Sequence, residues 1–109
     1  MCGIVCYKGR LNAREVIMDG LERLEYRGYD SAGISLIDGG LIKTVKKSGK
    51  VKVLKDELSK NPIDGNIGIG HIRWATHGGP SDINSHPHLS NNGKISVVHN
   101  GIIENYNEL

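Results

Sequence analysis

The sequence predicts an α+β fold built in antiparallel layers. Three observations lead there. Segments of strand and helix pattern mix along the chain without regular βαβ alternation, which argues against a doubly wound parallel sheet. Asp38-Gly39-Gly40 sits between two strand-like runs and reads as a tight hairpin turn, which joins antiparallel neighbours. The helical stretches are amphipathic, so each has one apolar stripe to lay on a sheet.

The elements follow in order. Gly3 to Tyr7 is apolar and β-rich, a first strand beginning almost at the N-terminus. Asn12 with Glu15 three residues on marks a helix start, an Asx cap followed by an acid. Val16, Ile17, Gly20, Leu21 and Leu24 then recur at helical spacing, ending near Glu25. Ala32 to Ile37 and Leu41 to Lys46 are the arms of the hairpin. Val51, Leu54 and Leu58 share one face of a short helix, and Asn61-Pro62 with Asp64-Gly65-Asn66 breaks the chain. Ile67 to Ile72 is a strand whose glycines, Gly68 and Gly70, alternate with isoleucines, so one face must meet another backbone or a bound group closely. Arg73 to Asn92 is a long polar loop, Ile95 to His99 a strand, and Ile102 to Leu109 the start of a helical segment. No Gly, Lys or Pro closes that last segment, so a truncated chain is expected.

Composition narrows the function classes. The chain has 109 residues, of which 38% are hydrophobic and 24% charged, a folding composition. With no Phe and one Trp the core must be aliphatic, and at this length it is thin. The net charge of +2 gives no argument for nucleic acid. The basic run from Lys43 to Lys55 alternates with Val45, Val51, Val53 and Leu54 and reads as a solvated face. No apolar run approaches the roughly 20 residues of a membrane span, and no signal peptide opens the chain. A cytoplasmic location is expected. Cys2 and Cys6 then read as thiols, since four strand residues separate them by roughly 13 Å, too far for a disulfide.

Several residues have chemistry to offer. If Met1 is removed, Cys2 carries a thiol and a free α-amine together, a nucleophile and its base on one residue. The amine titrates near pH 7.7 to 8.0 in reference peptides, so its free base is substantially populated around pH 7 to 8. Arg73, where a strand gives way to the loop, could hold a carboxylate bidentately. Asn100 and the Gly101 backbone N–H could both face a developing oxyanion. An ordinary buried Cys, a surface ion pair and an Asn-Gly turn are the plainer alternatives. His77, His86, His88 and His99 invite a metal reading. Acidic partners are sparse and no Cys-x-x-Cys accompanies them, so loop packing and hydrogen bonding are preferred and no metal is expected. Gly65-x-x-Gly68-x-Gly70 lies in a strand and opens no helix, so it is a weak phosphate signal.

Together these residues carry a specific likeness. Met1-Cys2-Gly3-Ile4-Val5 resembles the N-terminus of the class II glutamine amidotransferases, whose glutaminase domain is an N-terminal-nucleophile hydrolase. Leu24 to Gly33 contains Tyr-Arg-Gly-Tyr-Asp, similar to the sugar-phosphate branch of that family, where the purine branch has His-Arg-Gly-Gln-Glu. His71 to Pro80, Asn84 to His88 and His99 to Asn105 resemble the same branch, in the same order, across almost the whole chain.

The resemblance implies a layered αββα sandwich with antiparallel sheets, incomplete in residues 1–109. It implies that glutamine is hydrolysed to glutamate and ammonia, and that the ammonia aminates fructose 6-phosphate to glucosamine 6-phosphate on later sugar-isomerising domains. Cys2 would be the nucleophile, with Asn100 and Gly101 as the oxyanion hole. Arg73 would bind the glutamine α-carboxylate. Trp74 leads the loop that closes over glutamine, Thr76 and His77 help to bind it, and Arg27 supports the site. No cofactor is implied. The partners are these small molecules, without nucleic acid or membrane, in a homo-oligomeric parent. Two departures stand out. Cys6 replaces the family's glycine, so overpacking is expected on its face of the strand. An acid that binds the glutamine α-amine lies beyond Leu109 in the family, so the fragment alone should be nearly inactive. The rivals are another amidotransferase branch and a non-catalytic glutamine-binding module.

Overall fold

The computed structural model describes residues 3–25, 30–73, 85–99 and 104–108. Strand β1, Gly3–Lys8, leads into helix α1, Ala13–Leu24. Strands β2, Ser31–Asp38, and β3, Leu41–Ser48, form the hairpin, and helix α2, Val51–Lys60, follows. Strand β4, Ile67–Arg73, completes a four-stranded sheet in the order β1-β4-β2-β3, with every neighbouring pair antiparallel. The layered, antiparallel α+β arrangement expected from the sequence is therefore present.

Local chemistry accounts for each element. The hairpin pairs Asp38 with Leu41, leaving Gly39 and Gly40 as a two-residue loop. Both have positive φ, 59° and 80°, which is the geometry that matches the twist of paired strands and that glycine adopts without steric cost. Helix α1 starts at Asn12, whose side chain accepts from the Arg14 N–H at 3.1 Å. The Asn12 amide also donates to Asp64 at 2.7 Å, tying the helix start to the turn before β4. Replacing Asn12 with Ala should cost about 1 kcal/mol of local stability, read as faster hydrogen exchange in the first turn of α1.

Strand alternation sorts the sheet into two faces. One face carries Val5, Ile72, Ala32, Ile34 and Leu36. It receives Ala13, Ile17, Met18 and Leu21 from α1 and Val51, Leu54 and Leu58 from α2. This aliphatic cluster is the core. Gly68 and Gly70 lie on the same face, and their missing side chains admit the helix. A Cβ on Gly70 would stand 2.3 Å from Ile17 Cγ2, and one on Gly68 would stand 2.9 Å from Ile17 Cδ1. The close approach expected at these glycines is made by α1.

The opposite face carries Ile4, Cys6, Ile67, Ile69, His71, Arg73, Ser31, Gly33 and Ser35. Residues 85–99 lie across part of it, and three findings here modify the sequence expectations. First, the polar loop contains a strand. His88–Leu89 (β5) pairs with Ser96–Val97 (β6), because Ser90, Asn92 and Gly93 make a turn between them. Second, the expected strand Ile95 to His99 is reduced in the ladder to Ser96–Val97. Third, Cys6 is an exposed free thiol, so the expected overpacking does not arise among the described residues. Its partner across the ladder is Ile69. Ser96 Oγ donates to Ser35 Oγ at 2.7 Å and fastens the small hairpin to the main sheet. Near the chain end, Tyr106–Glu108 forms a 3-10 turn, in line with the helical character expected there. No described helix is long and apolar enough to cross a membrane.

Candidate active site

Arg73 is the last residue of β4 and the one candidate side chain among those expected that lies within the described residues. Cys2, Arg27, Trp74, Thr76, His77, Asn100 and Gly101 lie outside them. Arg73 is only 8% exposed, an unusual setting for a guanidinium and one that requires partners. Its register partner on β2 is Ser31, and its backbone carbonyl accepts the Asp30 N–H at 2.7 Å. Asp30 in turn receives the Gly49 N–H on its own carbonyl at 2.6 Å, so the end of the sheet is closed across three strands.

Alternation puts His71 on the same face as Arg73, two residues back. His71 is buried, as are Ser31 and Ser85. Ser31 Oγ makes no hydrogen bond among the described residues, although it is fully enclosed. Over this floor runs the Ser85-His86-Pro87-His88 segment. The carbonyl oxygen of His86 rests directly on Gly33, where a Cβ would stand 2.0 Å from it, so glycine is required there by space rather than by φ. The His71 and His86 rings have centroids 4.5 Å apart, and His86 and His88 are 4.3 Å apart.

Electrostatics at this end of the sheet disfavour any further cation. Burial, then the neighbouring His71, His88, Arg73 and Lys46, lower the His86 pKa from 6.5 to about 4. Burial, then Lys46 and Arg73, lower that of His88 as well. His86 and His88 are thus neutral at pH 7, and Arg73 and Lys46 supply fixed positive charge beside them. Such a site attracts an anion such as a carboxylate. The His86 and His88 rings are in tilted contact, and among the described residues no group of three His, Cys, Asp or Glu is arranged to hold a metal.

The sequence reading missed His71 and Gly33 as parts of this floor in their own right. The signal for His71 was present, since a residue two before Arg73 on a strand shares its face. Nothing local in the sequence announces that Gly33 seats a carbonyl from residue 86.

The covalent neighbours of the remaining candidates converge here too. Gly3, which follows Cys2, pairs with Ile72, which precedes Arg73. His99, which precedes Asn100, donates its backbone N–H to His86 Nδ1 at 3.4 Å.

Comparison with known proteins finds relatives similar along the whole chain. The chain is 60% identical over its full length to the glutamine–fructose-6-phosphate aminotransferase (isomerizing) of Clostridium perfringens. It is 57% identical over its full length to that of Thermus thermophilus and 62% identical, over 97% of the chain, to that of Leifsonia xyli. The chain matches glutamine–fructose-6-phosphate aminotransferases from end to end. It spans 18% of the length of each of these relatives. By name those aminotransferases are enzymes, and the chain is similar to part of each. No family model matches the chain.

Proposed function

We propose that this chain is the N-terminal part of the glutaminase domain of a glutamine–fructose-6-phosphate aminotransferase, and that its described layers belong to an αββα N-terminal-nucleophile hydrolase sandwich. The observation that carries the reading is the convergence at the end of β4. There the buried Arg73 follows Ile72, which pairs with Gly3, the residue after Cys2, while His99, the residue before Asn100, reaches His86, whose ring lies against His71 on the same strand. Identity to the aminotransferases over the whole chain supports it.

The mechanism follows from the chemistry of these residues. With Met1 removed, the Cys2 α-amine takes the thiol proton and the thiolate attacks the side-chain amide carbon of glutamine. Negative charge develops on the amide oxygen, where the Asn100 amide and the Gly101 N–H donate to it. The protonated amine then gives its proton to the departing nitrogen. Ammonia leaves, and a γ-glutamyl thioester remains on Cys2. Water, deprotonated by the same amine, cleaves the thioester and releases glutamate. Arg73 holds the α-carboxylate and so sets the distance from sulfur to amide. Trp74, Thr76 and His77 close over the substrate, and Arg27 supports the site. The ammonia aminates fructose 6-phosphate on the rest of the protein, a cytoplasmic homo-oligomer. The 109-residue chain alone hydrolyses glutamine slowly or not at all, because the acid that pairs with the substrate α-amine is not in it.

Substituting Arg73 with Ala in the full-length protein tests the reading. Loss of a bidentate, charge-assisted pair in a buried setting should raise the KM for glutamine on the order of 100-fold, with a smaller change in kcat. An unchanged KM would remove Arg73 from the glutamine pocket. Parent-like release of glutamate by the isolated chain would overturn the claim that its pocket is incomplete.

A further inference from the structure

His86 links three parts of the molecule through different atoms. Its carbonyl is seated on Gly33 of β2, in a space that any side chain would fill. Its ring lies against His71 of β4 on one side and His88 of β5 on the other. Its Nδ1 accepts the backbone N–H of His99, the residue immediately before Asn100. Ser85 and Pro87, on either side of it, are fully buried, so the segment cannot shift without opening the face of the sheet.

We propose that His86 is a positioning residue, a neutral acceptor that clamps the strand leading into Asn100 to the Arg73 end of the sheet. The proposal deepens the glutaminase reading and rests on it for the role of Asn100. Acceptance at Nδ1 requires that nitrogen to carry no proton, so the single proton of neutral His86 belongs on Nε2. Protonation would turn the acceptor into a donor facing the His99 N–H, and the clamp would open.

Its surroundings keep the acceptor intact. From β4 it faces His71 and Arg73, from β3 Lys46, and from β5 His88, while from β2 Gly33 lies beneath its carbonyl and that face of the strand carries serines besides. Every one of these groups is cationic or neutral, and with burial they hold His86 well below the ordinary histidine range, at about 4. The sign follows by linkage. The unfolded chain takes up this proton near pH 6.5 and the folded one near 4, so the unfolded state binds more protons between them. Stability from this group is complete above about pH 6.5 and is lost as pH falls towards 4.

Two substitutions in the full-length protein separate the acceptor from the ring. His86→Asn places an amide oxygen near the position of Nδ1 and cannot titrate. His86→Phe keeps the ring stack and removes the acceptor. Because a misplacement of about 1 Å at a catalytic group costs on the order of 100-fold, His86→Phe should lower kcat for glutamine hydrolysis by about 10- to 100-fold. On the same footing its KM for glutamine should stay within about threefold, and His86→Asn should keep kcat within about threefold of the parent. Equal losses of kcat in the two variants would overturn the proposal. A second measurement does not depend on activity. In protein labelled with ¹⁵N-histidine, the His99 backbone amide resonance should move as pH is lowered from 6.5 to 4, and should stay still in His86→Asn. If it moves alike in both, the clamp does not exist. A parent that hydrolyses no glutamine would overturn the role given to Asn100, whereas the amide measurement would still decide the clamp.

Discussion

Full-length protein carrying Cys2→Ala is expected to lose glutamine hydrolysis by about 10⁶-fold, the scale of loss when a covalent nucleophile is removed from a hydrolase. No other group at the Arg73 end of the sheet replaces it. The described neighbours are a guanidinium, which cannot deprotonate, and His86 and His88, whose pKa values are lowered and whose rings are in tilted contact. Binding should survive. Arg73 still holds the α-carboxylate, so glutamine affinity measured by calorimetry should change by less than about tenfold. A non-catalytic glutamine-binding module predicts the opposite pattern, with every function of the full-length protein intact after the substitution. Retention of Met1 should be nearly as damaging as loss of the thiol, because it converts the amine base into an amide nitrogen with no basic lone pair. An intact-mass measurement on the active protein should therefore show Cys2 as its first residue.

The second large effect is structural. Gly70→Ala should destabilise the packing of α1 on β4 by about 2–3 kcal/mol, at the upper end for overpacking a core. The new Cβ would stand 2.3 Å from Ile17 Cγ2 and 3.3 Å from Leu21 Cδ1. The nearer contact cannot be relieved by swinging a flexible chain end. Ile17 is β-branched and helical, so its χ1 is nearly fixed and Cγ2 moves only with the backbone. Hydrogen exchange of the α1 and β4 amides in the full-length protein should report the loss. Ile17→Leu removes Cγ2 while keeping the volume, and alone should cost less than about 1.5 kcal/mol. Combined with it, Gly70→Ala should cost at least 1 kcal/mol less than in the parent background, a coupling expected of residues in direct contact. An identical cost in both backgrounds would show that the clash is not with Ile17.

Much of this fold was legible before any coordinates. Asn12, the stripe from Val16 to Leu24, the Gly39-Gly40 turn and the Val51-Leu54-Leu58 face each act within a few residues of themselves, and the structure forms each of them, with Val16 left off the core and Met18 added to it. The long loop was not legible in the same way. Its β5–β6 pairing depends on a turn at Ser90, Asn92 and Gly93 and on a serine contact with Ser35 of β2, far off in sequence. The effect of Cys6 was not legible either, for a related reason. Whether a larger side chain crowds its neighbours depends on what covers that face of β1, and its own strand carries no information on that.

The candidate site divides along the same line. The sequence by itself determined the chemistry on offer: a cysteine beside a prospective amine, an arginine at a strand end, an Asn-Gly pair, and motifs whose order resembles one family. Those are properties of residue type and short spacing. Only the tertiary structure decided that the residue after Cys2 pairs beside Arg73 on β4. Only it showed that His86, seated on Gly33 and in tilted ring contact with His71, reaches the residue before Asn100. These contacts cross tens of residues, and they exist because antiparallel register and the burial of an aliphatic core under α1 bring distant strand ends together. A hydrophobic pattern read along the chain specifies which face is buried, and it leaves open which distant residues share an edge.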